Sequence, residues 1–362
     1  MKTKKINLEE VTKPPVYSIK ELQIEIKKLL LERDSSLDFK TFLIQTLCKY
    51  RDILKDKDCI DGVFFREVEK DIQSVTDRIK SILTYYLQGK INSAYAALGR
   101  WWNGNGKLGF RPFASAYEMQ ENQTYYRMRN KEGNKKFDSK GMFHVPYSLR
   151  HILKNYRYSI TGFPCLYIGK SIYGCWEEMG KPTFDNFYIS ALKVKSPITL
   201  FDLRLTRNNF SDIESKRSYL VSLPIIIACS IENNSENSSF IPEYIIPQMM
   251  LHAILLERKN NNRFDGIVYT STKSISAPKL FEDEDILSNI VIPVKGYAKD
   301  KEFCSYLASK FNITNPISAG YEFLKKNNET NGKSKFINYN DSIFGSLEND
   351  LKFKEFINIF NK

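Results

Sequence analysis

The sequence predicts an α+β protein in which a helical N-terminal region precedes a central mixed β-sheet flanked by helices, and three observations carry that expectation. Residues 18–102 place apolar side chains at helical spacing among charges. The segment NGNGKLG at 103–109 is then the strongest break in the chain. Beyond it, short apolar runs rich in β-branched and aromatic residues alternate with turns and helical candidates. At 362 residues the chain exceeds the size at which a single core usually stops growing. The expected regions are therefore a helical domain over 1–105, an α+β domain over 110–300 and a helical, polar extension over 301–362.

Along the first region, SIKELQIEIKKLLLE opens with a capping box, Ser18 with Glu21. Further helices are expected over LDFKTFLIQTLCKYRDIL, FREVEKDIQSVTDRIKSILTYYLQG and INSAYAALGRWWN, with Gly89 as a stop before the last. Strands are expected at TYYRMR, CLYIG, FYISALKV, ITLFDLR, DGIVYTST and NIVIPV, and a helix over PEYIIPQMMLHAILLERK. The run YLVSLPIIIACSI at 219–231 is too short to span a bilayer and reads as buried core. The loop NNSENSS at 233–239 is polar and expected to be mobile, and the tail from about Asn328 is Asn/Lys-rich with one late helical candidate, LENDLKFKEFINIF.

Composition narrows the function classes. The six cysteines are scattered, with no CxxC pair and no Cys/His cluster at metal-ligand spacing, so neither a zinc site nor a disulfide framework is expected, and reduced thiols of a cytoplasmic protein fit. The opening MKTKKINLEEVTKPP lacks the apolar stretch of a secretion signal. A net charge of +12 suits a nucleic-acid surface, a cleft for an anionic small molecule, or merely solvated lysine-rich helix faces. No helix-turn-helix signature or RNP motif supports the first.

The stretch RYSITGFPCLYIGKSIYGCWEEMG at 157–180 concentrates the candidate chemistry. Ser171 is placed to cap a helix from Ile172 to Met179, ended by Gly180 and Pro182, with Ile172, Cys175, Trp176 and Met179 as its core stripe. On that wheel Glu177 faces solvent, whereas Glu178 lies on the stripe's flank over Gly174, which would leave an open notch beside the carboxylate. Read alone, this segment favours a pair of surface glutamates. Arg127 and Arg129 share one face of a strand, suited to a phosphate or simply to a solvated edge. Ser271 opens the polar turn after the strand at 264–269, as a ligand contact or a turn cap. His252 reads as a packed histidine, His144 and His151 could flank the site, and Tyr244 and Gln248 read as core and capping residues that could also stand behind it.

The spacing of an apolar LY strand, a serine four residues after Tyr167 and Glu178 eleven after it resembles the central motif of the RES-domain family of bacterial toxins, named for an arginine, a glutamate and a serine. YYRMR is similar to that family's first arginine motif, RYSITGFPCLY to its second arginine ahead of the tyrosine, and DGIVYTS to its serine motif, all in the family's order over roughly 110–295. The helical N-terminal region looks like the HEPN-type domains found before some RES domains. The resemblance implies a fold related to ADP-ribosyltransferase toxins and a site that binds NAD as substrate, without a metal, and breaks its nicotinamide–ribose bond by hydrolysis, phosphorolysis or ADP-ribosyl transfer to a protein. Carried over by position, Glu178, Tyr167 and Arg127 are catalytic, and Arg127, Arg157, Tyr167 and Ser271 bind NAD. It further implies an antitoxin partner with a helix-turn-helix domain. Alternative readings are a nucleic-acid module on the basic helices, though residues 1–143 hold no histidine for a HEPN-type RNase, and a regulatory or homo-oligomerising helical domain.

Overall fold

The computed structural model describes residues 17–34, 36–102, 104, 110, 113–133, 136–233, 238–257, 263–276, 281, 283–296, 301–320 and 338–360. Helix α1 (Ile19–Leu31) starts at the expected capping box: Glu21 N donates to Ser18 Oγ at 3.2 Å and Ser18 N donates to Glu21 Oε2 at 2.7 Å. Helix α2 (Phe39–Lys57) is capped by Asp38, which accepts from Lys40 N and Thr41 N. A small hairpin, β1 (Cys59–Ile60) and β2 (Val63–Phe64), leads to α3 (Phe65–Leu87). Gly89, at φ +73°, turns the chain out of α3 and into α4 (Ile91–Trp102), as a glycine just past a helix end allows.

Among the described residues a ten-stranded sheet follows. Its strands are β3 (Ala116–Met119), β4 (Thr124–Asn130), β5 (Cys165–Gly169), β6 (Phe187–Val194), β7 (Ile198–Leu203), β8 (Gly266–Thr270), β9 (Ser288–Pro293), β10 (Phe311–Thr314), β11 (Ile317–Ser318) and β12 (Phe356–Ile357). Their order is β12-β10-β6-β4-β5-β9-β8-β7-β3, with β11 on β6. The pairing is antiparallel except between β7 and β8, which run parallel, so the sheet is mixed. The six strands expected from sequence are β4 to β9. Strands β3 and β10 to β12 went unread because they are short or lie at the sheet's margins, where the apolar alternation has little length in which to register.

Successive residues of the central strands pack into different cores, as a period of two requires. Cys165, Phe201, Leu203, Ile267 and Val291 join the helices on one face, whereas Leu166, Ile168, Leu200, Val268, Ile290 and Ile292 join a second core. Beyond the short helix α8 (Lys273–Ser276), residue 301 onward, expected as a helical and polar extension, supplies β10 to β12 as well as helices α9 (Ser305–Lys310) and α10 (Ile343–Lys352). Residues 321–337, with much of the Asn/Lys-rich tail, and residues 234–237 of the polar loop lie outside the described residues.

The apolar run at 219–231 is buried as expected, inside α6 (Ile213–Ser230). Pro224 lacks the N–H that would bond the carbonyl of Leu220 one turn back, and the hydroxyl of Tyr50 on α2 donates to that carbonyl at 2.7 Å instead. The helices on either side of the expected boundary are thus built around each other. Trp102 of α4 sits edge-on to Phe201 of β7 at 5.3 Å, and a single core runs from α1 through α6 and α7 (Ile245–Glu257) to the sheet. No helix among the described residues is long and apolar enough to cross a membrane.

Candidate functional site

Strand β5 ends at Gly169 and the chain turns at once into α5 (Ile172–Glu178). Ser171 caps this helix as predicted, accepting from Gly174 N at 2.8 Å while its hydroxyl donates to the Ile286 carbonyl at 2.6 Å. Ile172 and Cys175 are buried, and Trp176 and Met179 pack against the same cluster. A Cβ at Gly169 would lie 2.5 Å from the Cys175 sulfur, so only glycine lets the helix fold back so tightly over its strand.

Two expectations for this helix are corrected. Gly174 opens no notch: a Cβ there would meet the Ile286 carbonyl at 2.6 Å, because the turn before β9 packs directly on the glycine. Glu177 does not face solvent but is 1 % exposed, its Oε1 accepting from Tyr173 Oη at 2.6 Å and pairing with Lys181 Nζ at 3.1 Å. The wheel treated the face opposite the core stripe as free, yet Phe281 and Phe344 cover it, packing on the Tyr173 ring at 4.9 and 5.2 Å.

Glu178 occupies the other corner of the helix end. Its Oε2 accepts a short hydrogen bond from Ser271 Oγ and a second, at 3.2 Å, from Asn289 Nδ2. Ser271 follows β8 and Asn289 lies in β9 opposite Gly169, so adjacent strands β5, β9 and β8 bring the three groups together. Glu178 is half-buried, while Ser271 and Asn289 are buried.

Arg127 and Arg129 share a face of β4 as expected, but their surroundings differ. Arg129 donates to the Gly141 carbonyl at 2.7 Å, pairs with Glu132 at 3.1 Å and stacks over Phe137. Arg127 is 8 % exposed and donates Nη1 to the Tyr167 carbonyl at 2.7 Å; among the described residues its Nε has no partner and no carboxylate pairs with it. Burial lowers its pKa to about 10, so the guanidinium remains charged at neutral pH.

Arg157, in the loop before β5, is 7 % exposed. It donates to the Cys229 carbonyl at 3.2 Å and to Thr272 Oγ1 at 3.4 Å, and its guanidinium lies 5.1 Å from the centre of the Tyr244 ring. Among the described residues it too forms no ion pair. Gln248 donates to Asn155 Oδ1 at 2.7 Å and to the Tyr156 carbonyl at 3.0 Å, and so braces the Arg157 loop. Tyr167 donates its hydroxyl to the Tyr158 carbonyl at 2.7 Å and meets the Tyr156 ring edge-on.

These groups share one neighbourhood. Cys175 feels the charges of both Arg127 and Glu178, and Tyr269 those of both Glu178 and Arg157. Burial pushes the Cys175 thiol up to about 12, which removes it as a nucleophile at neutral pH. His144 lies within electrostatic reach of Arg127 but is fully engaged, with Nδ1 on the Val145 carbonyl and Nε2 accepting from Cys304 N at 2.9 Å. His252 is half-buried against Tyr95, and His151 is exposed. Asn289 and Tyr269 lie inside strand patterns that do not mark them as functional. The one available signal for Asn289 was an amide inside the otherwise apolar run NIVIPV.

No family model matches the chain, and no solved structure matches it. It is 28 % identical over 316 residues to a protein of Bacillus subtilis (strain 168) named "Putative toxin YopC", an alignment covering 80 % of this chain and 67 % of that protein.

Proposed function

We propose that the chain is a toxin-like enzyme of the RES type that binds NAD and cleaves its nicotinamide–ribose bond. The toxin reading draws on the Bacillus relative's name, and the chemistry draws on the site. The observation that carries it is Glu178, its carboxylate fixed by Ser271 and Asn289, near Cys175 and Tyr269, whose surroundings also hold two buried guanidinium groups that form no ion pair among the described residues. Burying a cation without a counter-charge is costly, and an anionic ligand removes that cost. The pyrophosphate of NAD is such a ligand, and planar guanidinium groups bind it in bidentate fashion.

In the reaction the C–N bond to ribose breaks and its electron pair neutralises the cationic ring nitrogen, so nicotinamide leaves without a general acid. Positive charge develops on the ribose, and the Glu178 carboxylate stabilises it and holds a ribose hydroxyl, as carboxylates do in glycoside hydrolysis. Water or phosphate then attacks the anomeric carbon and loses a proton to solvent. Tyr167, whose hydroxyl is committed to the Tyr158 carbonyl, contributes ring surface beside the Arg127 contact. A toxin of this kind would act in the cytoplasm, where NAD is available, and would be held in check by an antitoxin.

The test follows nicotinamide release from NAD by purified protein, with and without phosphate. Release that disappears in Glu178→Gln is expected. A folded wild-type protein that releases none refutes the proposal, and label from the adenylate half of NAD appearing on a protein would make that protein, rather than water or phosphate, the acceptor.

A further inference from the structure

We infer that Arg33, at the end of the first helix, is a positioning residue for Arg157, so that the helical N-terminal region completes the substrate site in cis; this rests on the NAD reading above. The Arg33 guanidinium reaches across the fold to two segments far away in sequence. It forms an ion pair with Glu243 Oε1 at 2.7 Å and donates to the Glu232 carbonyl at 2.9 Å. Glu243 is 4 % exposed, so its charge is compensated from within the protein.

Both gripped segments form the cradle of Arg157. Glu232 lies just past the end of α6, where the last carbonyls have no intrahelical donor, and one of these, Cys229 O, accepts from Arg157 at 3.2 Å. Glu243 immediately precedes Tyr244, the ring beneath the Arg157 guanidinium. One arginine just past the end of α1 thus ties together the two walls between which a second arginine is held. Releasing Arg33 lets those walls move relative to each other, and Arg157 with them. Glu178 is held separately by Ser271 and Asn289 and is not displaced.

The experiment compares wild type, Arg33→Met, Arg33→Lys and Glu243→Gln in steady-state NAD cleavage, with backbone hydrogen exchange measured on the same proteins without NAD. Loss of substrate positioning by a group that binds the phosphates raises KM more than it lowers kcat, so Arg33→Met is expected to raise KM about tenfold, with Arg33→Lys between it and wild type. In an Arg157→Met background the Arg33→Met effect on KM disappears, which a general loss of stability would not produce. Amides over 156–160 and 241–246 exchange faster in Arg33→Met, and those of β10 do not. Unchanged KM and unchanged exchange overturn the inference. If wild type does not cleave NAD, the NAD reading fails by itself, and the exchange pattern still decides the positioning: no acceleration at 156–160 overturns it, and selective acceleration there upholds it. If Arg33→Met does not fold, Glu243→Gln is judged by the same two readouts.

Discussion

Asn289 Nδ2 donates to Glu178 Oε2 at 3.2 Å, from the strand that pairs with the one leading into the glutamate's own helix. The bond aims one carboxylate oxygen and leaves Oε1 outside it. Asn289→Ala is expected to lower kcat for NAD cleavage about tenfold, the scale of one lost charge-assisted hydrogen bond, with a smaller change in KM. Steady-state kinetics check this, and an unchanged kcat would remove Asn289 from the site.

The adjacent glutamates separate cleanly. Glu177→Ala removes a buried acceptor of Tyr173 and is expected to cost about 1–3 kcal/mol of stability. Glu178→Gln preserves the packing and is expected to abolish turnover with little change in melting temperature. Thermal melts and activity measured side by side distinguish the two residues, and the reverse assignment would be plain if Glu177→Ala alone lost activity at full stability.

Arg127 is a buried charge with one hydrogen bond and no carboxylate partner among the described residues. Replacing it with methionine, of similar length, is expected to leave stability unchanged or raise it by about 1 kcal/mol, while NAD binding is lost. Calorimetric titration with NAD and chemical denaturation test both halves. A large loss of stability would mean that the guanidinium serves the fold rather than an anion.

Glu348, on α10, accepts from Ile172 N at 2.8 Å and from Tyr339 Oη at 2.5 Å, and so caps the start of the helix that carries Glu178. Burial raises its pKa above the ordinary 4.5 despite these donors. A raised acid binds a proton more readily folded than unfolded, so its contribution is full at low pH and is lost as pH rises through the folded value. Glu348→Gln keeps an acceptor without titrating. Its melting temperature is therefore expected to gain on wild type as pH increases above 4.5, and a constant difference would contradict the assignment.

His144 shows the opposite dependence. Burial lowers its pKa from 6.5 to about 4, so between those values the unfolded chain binds the extra proton. Stability from this group is complete above 6.5 and is lost as pH falls towards 4, by as much as about 3 kcal/mol at 1.36 kcal/mol per unit. His144→Gln retains an acceptor for Cys304 N, and its denaturation midpoints are expected to vary less than those of wild type across that range.

Local sequence patterns located α1 to α4, α7 and strands β4 to β9 because each is long enough for periodicity, caps and turns to agree. The same patterns placed Ser171 as a cap and Gly89 and Gly180 as stops, since those choices depend on backbone conformation within one turn. They failed at Glu177 and Gly174, where a helical wheel shows which residues share a side but not what packs against it.

The sequence by itself determined the α+β class and the helix carrying Glu178, and its resemblance to a known family singled out Glu178, Tyr167, Arg127, Arg157 and Ser271 as candidates, because helical spacing and motif order are properties of the chain. Only the tertiary structure decided that Ser271 and Asn289, 93 and 111 residues away from Glu178, meet its carboxylate, that Tyr50 supplies the hydrogen bond Pro224 cannot, and that Arg33 reaches the cradle of Arg157. Hydrogen bonds and charge compensation act over a few ångströms of space, and strand order rather than sequence distance sets which groups come that close.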